Sequence, residues 1–110
     1  MNEKLAPKTG TVDKLVTLES DIKQVLSGEK TSTRRNGRLA DPGESMVLQG
    51  RKFEVQHVYQ QTLGEITDED ARSEGYPDLE AYKQFILSIH PGMKWIPEMT
   101  VWVHEYHPIQ

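Results

Sequence analysis

The stretch Gly28-Glu29-Lys30-Thr31-Ser32-Thr33-Arg34-Arg35 puts an amine, three hydroxyls and two guanidiniums into six consecutive residues, Lys30 to Arg35. A packed core does not require that composition, so the run reads as a site. The amphipathic segment before it ends at Gly28. A glycine just past a helix adopts the left-handed conformation at little cost and turns the chain sharply. The polar cluster is therefore expected at a fixed corner of a domain. It is rich in threonine and lacks helical periodicity, which predicts a strand leaving that corner.

Upstream, Leu15, Val16, Leu18, Ile22, Val25 and Leu26 approximate helical spacing, and the pattern is strongest over 19–27. Leu15 to Leu18 reads equally as a short strand leading into that helix. Residues 1–12 are expected to form a flexible N-terminal arm. Downstream, 36–45 holds two glycines and a proline and reads as a loop. Met46 to Leu48 and Lys52 to Leu63 read as two strands joined at Gln49-Gly50-Arg51. Phe53, Val55, His57 and Tyr59 share one parity, and Glu54, Gln56, Val58 and Gln60 the other, the alternation of a half-buried strand.

Thr67 is placed to cap a short helix over 68–74 that ends at Gly75, with acids in its first turn. Asp78 is placed to cap a second, 79–89, whose Leu79, Tyr82, Phe85, Ile86 and Ile89 form one apolar stripe. His90-Pro91-Gly92 stops it. Met99 to Tyr106 reads as the last strand, with Val101 and Val103 on one face and Trp102 and His104 on the other. This order predicts a single α+β domain over 13–110, built on a small, largely antiparallel sheet.

The 110 residues suit one domain, and a 35% hydrophobic content suffices for one small core. The chain has no cysteine, hence no disulfide framework and no cysteine-built metal site. Its first ten residues have no apolar core of a signal peptide. No apolar run approaches the roughly 20 residues that span a bilayer. These features predict a cytoplasmic protein with no membrane partner. The net charge of −4 argues against gripping long nucleic acid through phosphates. That charge is uneven. Residues 28–38 carry Lys30, Arg34, Arg35 and Arg38 against Glu29, and 64–80 carry seven acids against Arg72. A small basic site on an acidic body suits a small anionic or polar ligand, or one nucleotide of a larger RNA. The acidic run also reads as a solvated face.

A phosphate-loop reading of Gly28-Glu29-Lys30-Thr31 fails. The earlier glycine is missing, glycine and lysine are not adjacent, and helix precedes strand. Lys30 with Thr33 has two readings. One is a solvated lysine beside a surface threonine. The other is a base and a nucleophile, because a threonine hydroxyl needs a base and a shielded amine can serve. Residues three apart on a regular strand face opposite ways, so the pair converges only if Lys30 still belongs to the turn or the strand is bulged. Arg34 and Arg35 diverge likewise, which lets one enter a pocket while the other pairs with the acidic run. His104 and His107 also diverge, so no shared metal is expected, and no cofactor is implied. His90 reads as a helix-end residue. Trp102 reads as core. Trp95, in an irregular segment, is the better pocket wall and could stack a base.

The Gly28–Arg35 run resembles the glycine-x-lysine-x-x-threonine/glutamate-x-arginine motif of ASCH domains. The resemblance continues through Leu63-Gly64-Glu65-Ile66-Thr67-Asp68-Glu69-Asp70-Ala71 and Ser88-Ile89-His90-Pro91-Gly92 to Val101-Trp102-Val103-His104-Glu105-Tyr106, covering about residues 15–107. It implies a small PUA-like, mostly antiparallel β-barrel with peripheral helices, whose cleft is lined by the motif and which binds or acts on RNA. One small bacterial branch is similar to an amidohydrolase that removes the acetyl group from N-acetylated cytidine. On that likeness the catalytic lysine falls on Lys30, the threonine on Thr33, the glutamate on Glu74 and the motif arginine on Arg35. The sequence departs from that branch at Arg34, where the branch has an apolar residue. It departs again in the loop 36–45 and in Lys94-Trp95-Ile96-Pro97-Glu98-Met99, which looks inserted.

Three expectations follow. The first is a cleft for a nucleobase or modified nucleoside, with metal-independent hydrolysis of an N-acylated cytidine by Lys30, Thr33 and Glu74. The second is a non-catalytic RNA-binding module in which Arg34, Arg35 and Arg38 contact phosphates and Trp95 stacks a base. The third is an interaction domain using the acidic 64–80 face.

Overall fold

The computed structural model describes Lys8 and residues 10–109. The chain enters through a 3₁₀ turn, Val12–Lys14. Helix α1 spans Glu19–Ser27, and Gly28 closes it at φ 88° with its amide on the Gln24 and Val25 carbonyls. Strand β1 (Ser32–Arg35) follows. Strands β2 (Ser45–Leu48) and β3 (Arg51–Thr62) form a hairpin. Its tip, Gln49 and Gly50, holds φ of 51° and 83°, the paired left-handed conformation that matches the twist of flanking strands. A 3₁₀ turn at Leu63–Glu65 leads to α2 (Asp68–Ser73), α3 (Leu79–Ile89) and the closing strand β4 (Thr100–Ile109).

Both predicted caps are present. The Thr67 hydroxyl accepts from the Asp70 amide at 3.1 Å, and the Asp70 carboxylate accepts from the Thr67 amide at 3.0 Å, a reciprocal capping box. Asp78 accepts from the Ala81 amide at 2.9 Å. Leu15 to Leu18 forms neither strand nor helix. Leu15 and Val16 are buried in the core, and Leu18 is the residue before α1.

The sheet runs β1-β4-β3-β2, every pair antiparallel, with β1 and β2 as its edges. It curls into a half-barrel. α1 and the N-terminal turn cover one face, where Leu15, Val16, Val25, Phe53, Val55 and Tyr106 form the main core. α2 and α3 cover the other, where Leu63, Ile66, Ala71, Tyr82 and Val101 form a second core. Most of the expected arm lies outside the described residues. Its described end is attached: Val12 packs on the main core and Lys8 pairs with Glu44.

The regular alternation read over 53–60 is broken. A bulge falls between Val55 and His57, which face Tyr106 and Glu105 in turn. One extra residue switches the parity of everything beyond it. Phe53 and Val55 therefore point into the main core, whereas His57 and Tyr59 are exposed and Val58 turns back to the core.

Candidate functional site

Lys30 lies in the turn between Gly28 and β1, not on the strand. Its amide bonds the Gln24 carbonyl at 3.1 Å, one position after Glu29 uses the same oxygen. That turn lets Lys30 converge with residues a regular strand would separate from it. The Thr31 amide then bonds the Ser73 carbonyl at 2.7 Å, pinning the start of β1 against the end of α2. Gln24 completes the corner by donating to the Gly75 carbonyl at 3.1 Å. Gly75 sits at φ +97°, and a Cβ there would come within 2.7 Å of the Gln24 side chain, so both its conformation and its neighbour favour glycine.

This corner delivers Glu74, the residue that caps α2, to Lys30. The Lys30 ammonium donates to the Glu74 carboxylate at 2.8 Å and to the Glu74 main-chain carbonyl at 3.1 Å. Arg34 grips the other carboxylate oxygen at 2.8 Å. Arg34 also donates through Nε to Gln61 at 2.9 Å and through Nη1 to Ser32 at 3.3 Å, and it pairs through Nη2 with Asp70 at 3.4 Å. All three nitrogens of that guanidinium thus have partners inside the protein. The Lys30, Arg34 and Glu74 side chains are 5%, 2% and 3% exposed. Two cations from the basic run and two carboxylates from the acidic run balance each other, as a buried charge cluster requires. Burial alone would raise the Asp70 carboxyl, but the Thr67 amide and the Arg34 charge outweigh it and hold it below the usual range.

Thr33 points to the opposite side of β1 from Ser32 and Arg34. Its hydroxyl pairs with the Tyr106 phenol at 2.9 Å, and no hydrogen bond links it to Lys30. Burial pushes the Tyr106 phenol well above its ordinary value, so it stays neutral. His104 is fully buried beside it. The Leu39 amide donates to Nε2 at 3.1 Å, and Nδ1 lies 3.2 Å from the Thr33 carbonyl. Those partners fix the neutral ring with its proton on Nδ1. Burial lowers its pKa, with Arg35 and Arg38 adding to the effect.

A cavity of about 570 Å³ runs along β1, the sheet edge, between α1 and α3. Lys30, Thr33, Arg34, Arg35 and Glu74 all line it, and so does Trp95. Arg35 donates to the Leu15 carbonyl at 2.8 Å, and its buried Nε–H has no partner among the described residues. Trp95 stands edge-on to Tyr82 with ring centres 6.4 Å apart, and the Lys83 ammonium lies 5.4 Å from its ring centre. Arg38 is not brought to the cavity. It is buried, paired with Asp41, and lies over the Trp102 ring at 5.9 Å. Trp102 is core, as its position between valines predicts.

By sequence, no protein-family model and no curated protein matches the chain. Solved structures do. The crystal structure of an ASCH domain from Lactobacillus crispatus JV V101 superposes with a TM-score of 0.61 at 16% identity, covering 81% of this chain and 70% of that one. A structure of an Enterococcus faecalis V583 protein of the DUF984 family model superposes at 0.60 and 15% identity, covering 97% of this chain and 78% of that one. The chain has an ASCH-like fold. At such low identity the likeness concerns the path of the chain. Within the ASCH-like frame, the run Gly28–Arg35 forms the corner and edge strand that border the cavity.

Sequence reasoning missed several members of the site. Ser32 hydrogen-bonds Ser73 at 2.7 Å. Gln61 and Asp70 hold Arg34, and Tyr106 holds Thr33. The shared parity of Ser32 with Arg34 was available as a signal. The partnership of Gln61 and Tyr106 depends on strand register, which the sequence alone does not display. Among the described residues, no group of three or more His, Asp or Glu side chains is placed to hold a metal ion, and no helix is long and apolar enough to cross a membrane.

Proposed function

We propose that the cavity binds a nucleobase or nucleoside and hydrolyses the amide of an N-acylated exocyclic amine. The observation that carries this reading is that Lys30, Thr33 and Glu74, from a helix–strand turn, a strand and a helix end, all line one hollow. A volume of about 570 Å³ falls in the range of small-molecule sites, roughly 300–1,000 Å³.

The chemistry runs through the Lys30–Glu74 contact. Passage of one proton across that 2.8 Å contact leaves a neutral amine and a carboxylic acid. The amine takes the Thr33 proton as its oxygen attacks the acyl carbon. The acid gives its proton to the departing nitrogen, which leaves as the free exocyclic amine. Water then cleaves the Thr33 ester, releasing a carboxylic acid and restoring the hydroxyl. Before the attack, Thr33 must exchange its bond to Tyr106 for one to Lys30. Arg34 acts as a positioning residue, fixing Glu74 in place. The unpartnered Nε–H of Arg35 is offered to an acceptor on the ligand.

The alternative of an RNA grip through phosphates needs guanidiniums that face solvent. Arg34 and Arg38 are buried against Glu74, Asp70 and Asp41 instead, which favours a single nucleoside over a long strand. Incubation with a panel of acylated nucleosides, read by mass spectrometry, tests the proposal. Lys30→Ala and Thr33→Ala are expected to abolish deacylation, with the fold checked by circular dichroism. Full activity in both variants would rule the assignment out. Steeply salt-dependent affinity for RNA without deacylation would favour the binding module.

A further inference from the structure

The hydrolysis proposed above uses only the β1 side of the cavity. The facing wall is built from Phe85, Ile86 and Ile89 of α3 with Met93, Trp95 and Met99 beyond it. No charged side chain is among these six. Ile89 is 44% exposed, and Leu18, which lines the same cavity from the start of α1, is 49% exposed. Single exposed aliphatic residues are ordinary. Two that border one cavity from separate elements mark a place where apolar surface waits for a ligand. Ile86, Met93, Trp95 and Met99 also pack on the second core, but an acetyl group's one methyl is too little to cover the apolar surface that remains along the wall, with Ile89 and Leu18 exposed at its rim.

A base could cover that wall only by stacking on a flat ring. The rings there offer few open faces. Phe85 leans on Tyr76 at 5.2 Å and 35°, Tyr82 meets Trp95 at 89°, and Lys83 lies over Trp95. Ring edges, isoleucines and two adaptable methionines suit a flexible chain instead. We propose that the cleft takes N-acyl nucleosides whose acyl group is an unbranched aliphatic chain several carbons long, laid along the α3–Met99 wall with its carbonyl toward Lys30 and Thr33. The inference rests on the hydrolase reading and names its substrate class.

Two ligand series separate the inference from that reading. N4-alkylcytidines, methyl to hexyl, have no amide to cleave and report binding by calorimetry. N4-acylcytidines, acetyl to octanoyl, report deacylation by mass spectrometry. Each methylene placed on the wall is expected to raise affinity and kcat/KM by up to about four-fold. Ile89→Asp, at an exposed position, and Ile86→Ala are expected to flatten both slopes. Equal affinity for the methyl and hexyl ligands overturns the inference, even if the acetyl substrate is cleaved. A slope that neither variant changes puts the chain elsewhere and also overturns it. Affinity that climbs with chain length while no amide is cleaved sustains the wall and refutes the catalytic assignment. If no member of either series binds, both readings fall together.

Discussion

Two lysine–carboxylate contacts in this protein share one length, 2.8 Å: Lys30 with Glu74, and Lys8 with Glu44. Their surroundings differ. The first pair is 5% and 3% exposed, the second 30% and 36%. Water already solvates Lys8 and Glu44 well, so bringing them together changes little, and salt screens what is gained. Lys30 and Glu74 have given up hydration, and only a complete set of partners offsets that loss. Arg34, Ser32, Asp70 and the Glu74 carbonyl belong to the set. Distance alone therefore does not rank ion pairs. The buried cluster is expensive to break without being a large net source of stability. Its presence is better explained by positioning than by holding the fold together.

The most severe way to break the comparison is Glu74→Ala, which leaves Lys30 and Arg34 buried without their shared carboxylate. Urea denaturation is expected to show a loss of about 3–5 kcal/mol. A loss below about 1 kcal/mol would mean that water reaches the pair and that it behaves like Lys8–Glu44.

A second contrast sets this charged cluster against a buried neutral ring. The folded pKa of His104 lies below its unfolded value of 6.5. The unfolded chain therefore binds the proton first as pH falls. Stability linked to His104 is complete above about pH 6.5 and declines below it, toward the depressed folded value, by at most about 1.4 kcal/mol per pH unit. Denaturation midpoints at pH 7.5, 6.5 and 5.5 read that slope. It should vanish in His104→Gln. A wild-type protein equally stable at all three would show that the ring titrates in the fold as it does in the unfolded chain.

Tyr106→Phe sharpens the neutral side further. It removes the phenol that holds Thr33 and is expected to cost about 1 kcal/mol, measured by the same denaturation. In the proposed reaction it also frees the Thr33 hydroxyl, so the deacylation rate of this variant tests whether that bond restrains the nucleophile. Lys8→Ala should be the weakest change, within about 0.5 kcal/mol and indistinguishable from wild type in roughly 1 M salt. A larger effect would mean that the N-terminal segment is held mainly by this pair.

Local features were the legible part of the sequence. Helix α3 runs over the residues its stripe and Asp78 predict, and Gly28 turns the chain where a helix-ending glycine should. These depend on a few neighbouring residues and on backbone sterics. The meeting of Lys30 with Glu74, 44 residues away, depends on how the end of α2 docks on β1, and composition does not encode that. Glu74 entered only through the ASCH resemblance. The partition between Arg34 and Arg35 was legible as an alternative, because strand parity demands divergence. Which of the two faces the acids required the register of β1 on β4. Arg38 reads from sequence as part of a basic patch, yet Asp41 and Trp102 hold it away from the cavity.

The bulge in β3 makes one position unusual in what evolution or an engineer can do there. Gln56 is exposed, so many side chains should serve equally well. Deleting it would join Val55, opposite Tyr106, directly to His57, opposite Glu105, giving a regular strand in which His57 and Tyr59 still face outward and Val58 still faces the core. The chain there is forgiving about spelling and about letter count alike.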